Sequence, residues 1–164
     1  SVGLESMGEY ADLWIEEPRV ELDVLREKIN ARLPAGMKVV AMEEATLGKA
    51  LSEMVRGFAY QIFIPEKFTA SDLSTMAERI EHFLQDETFT VVREAKGKTV
   101  IKEIRRFVDN LILDRENRQL LMEVRFGAEG TARPLEILTS VLGLDVDTAR
   151  VMHIVKTETY FGDL

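Results

Sequence analysis

Six cations fall between residues 93 and 106, Arg93, Lys96, Lys98, Lys102, Arg105 and Arg106, against only Glu94 and Glu103. The rest of the chain is acidic, and the whole carries a formal charge of −8. A local row of cations in an acidic chain suits an anion such as a phosphate backbone, bound through salt-dependent contacts. It does not suit a general nucleic-acid coat, which needs an extended basic face. Even spacing would set Lys98, Lys102 and Arg106 on one face. The same pattern also serves to keep the edge of a β-hairpin from pairing with another chain. Only Phe107 is near enough to interleave as a stacking surface for single-stranded bases.

A second constellation lies near the start. Glu9, Tyr10 and Asp12 would form a polar face along a cleft, where burial could raise a carboxyl pKa into the range of a general base. Solvated carboxylates with a surface Tyr hydroxyl would show the same pattern. The single Trp, Trp14, shares the Tyr10 and Asp12 parity and would stack on a base or cover a sheet edge. His82 reads as a helix-rim residue, and His153 as facing the packed side of the last strand. Neither has the spacing of a metal pair. No GxxxxGK[ST], GxGxxG or GxSxG occurs. The chain has no Cys, which rules out disulfides, thiolate metal sites, an iron–sulfur cluster and a Cys nucleophile. No cofactor is expected in this chain. No leader and no apolar run long enough to span a bilayer are evident, so the expected location is cytoplasmic, away from membranes.

Periodicity supplies the elements that must position these residues. Gly8 to Ile15 alternates as a strand, and Leu22, Leu25, Ile29 and Leu33 recur as a helix that ends at Pro34-Ala35-Gly36. Met37 to Met42 reads as a second strand. Phe58 to Ile64 alternates clearly and stops at Pro65. Thr69 or Ser71 caps a helix bearing Leu73, Met76, Ile80, Phe83 and Leu84. Thr88–Arg93 and Thr99–Ile104 form a hairpin turning at Gly97. Val108–Leu113 and Gln119–Phe126 form another around residues 114–118. Pro134 opens a helix that Gly143 ends, and Arg150 to Tyr160 closes the chain as a strand. The order predicts an α+β fold: a ferredoxin-like antiparallel sheet with helices on one face over residues 55–164 and an inserted hairpin. Residues 1–54 would be a β-α-β half of another such unit.

Four stretches carry a resemblance: SVGLESMGEYADL from Ser1, NARLPAGMKVV from Asn30, KEIRRFVDNLIL from Lys102, and Val151 to Phe161. In order and spacing they resemble the radical SAM-linked family of unknown function, here lacking its N-terminal part. The resemblance implies a chain that begins inside a larger protein. It also implies a radical SAM and cobalamin-binding protein as partner, and a role near RNA. Members of the family it resembles are often encoded near ribonuclease G and ribosomal-protein genes. Tandem ferredoxin-like units also resemble CRISPR repeat-processing endoribonucleases and pseudouridine synthases, whose catalytic motifs are not seen here. Two functions follow as expectations. One is an accessory module that recognises RNA or another macromolecule; the alternative is an RNA-modifying or hydrolytic enzyme with its active site mostly upstream. A missing upstream half would leave apolar surface that drives self-association.

Overall fold

The computed structural model describes residues 4–15, 20–45, 48, 50–95 and 97–162. The chain divides into two compact units, Ser1–Tyr10 with Met54–Leu164, and Ala11–Glu53.

In the smaller unit, α1 (Leu22–Asn30) forms where the apolar period predicts a helix, with Asp23 in its first turn and Lys28 in its last. Leu22, Leu25 and Ile29 are half-buried. The predicted strands at Gly8–Ile15 and Met37–Met42 do not form. Asn30 takes the partner's place for the second: its Nδ2 donates to the Val39 carbonyl (3.0 Å), and its Oδ1 accepts the Val39 N–H (2.7 Å). That one side chain satisfies both backbone groups of Val39, so the extended segment needs no sheet there. A short helix, α2 (Leu51–Met54), follows.

The larger unit is built on a five-stranded mixed sheet, in the order β1-β7-β2-β6-β5. The strands are β1 (Leu4–Ser6), β2 (Val55–Phe63), β5 (Val108–Asp114), β6 (Gln119–Arg125) and β7 (His153–Phe161). β1 runs parallel to β7, and the remaining pairs are antiparallel. The sheet is therefore mixed rather than wholly antiparallel: the first strand lies at Leu4–Ser6, upstream of the predicted one, and joins the edge of β7 in parallel.

The period-two pattern sorts the faces. Ile62 lies between Leu120 and Ile154 in register, and all three are buried. They pack in one cluster with Leu73, Met76, Ile80 and Phe83 of α3 (Ala70–Gln85), and with Ile137, Leu138 and Val141. Fully burying each such side chain stabilises the fold by roughly 1.5–3 kcal/mol. Their neighbours Gln61, Leu121 and Glu123 belong to the opposite, open face.

Thr69 caps α3: its Oγ1 accepts the Asp72 N–H (3.2 Å), and Asp72 accepts the Thr69 N–H (2.6 Å). That second bond holds the Asp72 carboxyl below the ordinary range. Pro134 opens α4 (Pro134–Glu136), but the helix then widens into a π-helical turn, Ile137–Val141. Gly143 ends it in a left-handed conformation, with the Leu144 N–H returning to the Leu138 carbonyl. A further short helix, α5 (Val146–Arg150), precedes β7.

Between α3 and β5 stands a separate two-stranded ribbon, β3 (Thr90–Ala95) and β4 (Lys98–Glu103). Gly97 has a positive φ at its turn, as predicted.

Gly57 sits in β2 with its α-carbon against the Val124 carbonyl of β6. A side chain there meets backbone, which cannot step aside. Gly57→Ala is expected to destabilise the larger unit by about 1–3 kcal/mol, read from the midpoint of urea unfolding. An unchanged midpoint would show that the strands separate more readily than their register implies.

Candidate functional site

The ribbon gathers most of the predicted cationic row, and its two faces differ. On one face Val91 is buried and Arg93 turns inward. Arg93 Nε donates to Glu136 Oε1 (2.6 Å), and Nη2 donates to Glu136 Oε2 (2.8 Å) and to the Thr131 carbonyl (2.6 Å). Both side chains are only 13% exposed. This is the two-pronged guanidinium–carboxylate geometry, which adds direction as well as energy. Glu136 also accepts the Arg133 N–H, so the same carboxylate starts α4.

Beyond β4 the chain turns through a single 3-10 turn, Arg105–Phe107. Arg105 donates to the carbonyls of Val108 (3.0 Å) and Leu84 (2.9 Å) and lies over the Phe83 ring. Arg106 pairs with Glu103 (3.3 Å) and Glu129 (2.8 Å), with its guanidinium over Phe107. Three of the six cations are thus joined to the chain's own acceptors, and Arg106 lies off the strand that carries Lys98 and Lys102. Those two lysines have no ion-pair partner among the described residues. Lys98 is exposed and Lys102 half-buried. Lys96 lies outside the described residues.

The other face of the ribbon points away from the core. Val92 and Ile101 are directly paired across the strands and are 69% and 71% exposed. With Thr90, Thr99 and Glu94 they form a β-branched, weakly charged surface. Sequence reading passed over this pair because it followed charge. The signal was present in the strand parity, which sets Val92 opposite in sense to the buried Val91.

The polar face near the start resolves into separate contacts. Glu9 Oε2 accepts from Lys156 Nζ at 2.6 Å. Tyr10 is exposed, and its ring meets Phe161 edge-on at 4.9 Å. Asp12 belongs to the smaller unit, where it accepts the Leu51 N–H (2.9 Å). Trp14 is exposed. The Lys156 hydrogen bond holds the Glu9 carboxyl below its ordinary range, against a smaller opposing effect of burial. Burial, and then the Glu9 charge, push the Tyr60 hydroxyl up to about 12. His82 is exposed, as expected of a rim residue. His153 is exposed on the open face rather than the packed one, stacked on Phe63 (4.8 Å) and 3.0 Å from Glu5. Its parity is opposite to that of the buried Ile154.

The open face also carries a shallow hollow of about 320 Å³ floored by Ala59, with Glu123 and Glu158 on its flanks. Tyr160 donates to Glu123 (3.1 Å). This face is acidic and repels phosphate. Among the described residues no group of three His, Asp or Glu side chains is placed to hold a metal ion. No helix among them is long and apolar enough to cross a membrane.

The division between anchored and free cations has a thermodynamic signature. Arg105→Ala is expected to destabilise by about 2 kcal/mol, since it strips charge-assisted bonds from two carbonyls. Lys98→Ala should stay within about 0.5 kcal/mol of the parent. Thermal unfolding of the two variants checks this; equal losses would mean that Arg105 is as free as Lys98.

Comparison with curated proteins and with solved structures returned no match. A family model matches residues 1–134, most of the chain. The chain belongs to that family, described as an uncharacterized protein conserved in bacteria (DUF2344).

Proposed function

We propose that this chain is an accessory recognition module of a radical SAM-linked protein, and that it meets a macromolecular partner through the outward face of the β3–β4 ribbon. The observation that carries the reading is the Val92–Ile101 pair. Two large aliphatic side chains opposed on a protruding ribbon are costly to leave in water and are favourable to cover. The ferredoxin-like reading of the larger unit draws support from strand order. β7-β2-β6-β5 is the antiparallel arrangement that a βαββαβ chain adopts, with the ribbon inserted after its first helix.

A protein surface fits the ribbon better than RNA does. Among the described residues the outward face has no cation on it, Arg93, Arg105 and Arg106 are occupied, and Arg106 already covers Phe107. Lys98 and Lys102 remain for phosphate, and two contacts give only a shallow salt dependence. The resemblance names a radical SAM and cobalamin-binding protein as the partner to try first. The enzyme alternative draws no support from a convergent acid–base pair among the described residues.

The test is capture of partners by the full-length protein from its own cells, with and without ribonuclease. Replacing Val92 and Ile101 by Asp should weaken capture of a protein at least about tenfold, as loss of a central apolar anchor does. Replacing Lys98 and Lys102 by Glu should change it far less. Ribonuclease-sensitive capture that follows the lysines and ignores the aliphatic pair would overturn the reading in favour of RNA.

A further inference from the structure

We propose that the Glu9–Lys156 pair is the register key of a detachable strap, residues 4–10, seated on the edge of β7. Besides that pair, the strap has a short ladder and one apolar contact, Leu4, partly buried against the core. Leu4, Glu5 and Ser6 pair in parallel with Ile154, Val155 and Lys156, and the Met7 N–H donates to the Lys156 carbonyl (3.0 Å). Three parallel residues make a weak ladder. The Glu5–His153 contact is exposed on both sides, and such pairs contribute little. Tyr10 adds one edge-on ring contact with Phe161.

Lys156 is different in kind. It is 7% exposed, the one charged residue among the buried side chains described, and its ammonium lies over the Phe58 ring. An apolar side chain of similar length would be at least as stable there. What the ion pair adds is discrimination. A strand slip that keeps the same side chains facing the sheet moves by two residues. Such a slip would bring Met7 or Ala11 to the place of Glu9. Either leaves a buried ammonium with no carboxylate, a strongly destabilising state. Among these three registers only the observed one pairs the charge.

The seat is therefore acid-sensitive. Among the described residues the groups facing Glu9 are Lys156 from β7, the Ser6 hydroxyl of the strap itself, and Tyr60 from β2, which is uncharged over this range. Glu5 and His153 form their own pair further along. Because docking holds the Glu9 carboxyl below its free value of 4.5, its stabilisation is full above that pH and is lost as pH falls through the docked value.

Amide hydrogen exchange of the full chain tests this, with Met7 reporting the strap and Leu120 the core, each corrected for intrinsic exchange. The parent should protect Met7 at pH 7 and lose that protection progressively as pH falls below the free Glu value, while Leu120 stays protected. Glu9→Gln should show the low Met7 protection at both pH values. Lys156→Met should protect Met7 independently of pH, yet give more than one Met7 amide resonance as registers mix. Should Glu9→Gln fail to fold, Lys156→Met decides alone. A single parent-like resonance in Lys156→Met, or parent-like pH dependence in Glu9→Gln, would overturn the proposal.

Discussion

The paired guanidinium and carboxylate of Arg93 and Glu136 fix where the inserted ribbon stands on the larger unit. Without them β3 and β4 would be tied to the core only through Val91 and the adjoining Ile104, and a two-stranded hairpin is marginal in water by itself. Through them one strand is tied to the Thr131 carbonyl and to the first turn of α4 at once. The buried Val91 supplies the apolar half of that anchor. Orientation of the ribbon follows: Arg93 and Val91 face inward, so Val92 must face out. The exposed aliphatic pair is a consequence of the anchor rather than a separate accident of composition.

The same logic runs through the sheet. Helices cover one face, on the parity of Ile62, Leu120 and Ile154, and leave the other to Gln61, Glu123 and the Phe63–His153 stack. An open sheet carrying Glu123 and Glu158 is poorly suited to phosphate. The three arginines that the sequence places at residues 93–106 neutralise the chain's own carboxylates or bind its own carbonyls. What the ribbon leaves in water is the aliphatic Val92–Ile101 pair, while residues 4–10 are seated on β7 by a three-residue parallel ladder, the partly buried Leu4 and the Glu9–Lys156 pair.

Much of this architecture was legible in local pattern. Phe58 to Ile64 alternates because one face of β2 is core, Thr69 announces the start of α3, Pro134 and Gly143 bracket one helical segment, and Gly97 marks the ribbon turn. Strands that depend on a distant partner were not legible. Gly8–Ile15 and Met37–Met42 alternate as well as true strands do, but the edge of β7 is taken by Leu4–Ser6, and Asn30 substitutes for a neighbour at Val39. The site was half legible. Residue type revealed that charge is concentrated between Arg93 and Arg106, but not that Glu136, Glu129 and the Leu84 carbonyl, far along the chain, consume it. Likewise Glu9 was singled out without its partner, Lys156, 147 residues away in the last strand.

A double-mutant cycle on Arg93 and Glu136 tests most directly whether the basic segment is structural. The four proteins are the parent, Arg93→Met, Glu136→Gln and the double variant, compared by urea unfolding. A buried, two-pronged pair should give a coupling energy of about 2 kcal/mol or more, within the range for residues in one buried network. A coupling near zero, with each single change harmless, would contradict the account and return Arg93 to the pool of cations free for a ligand.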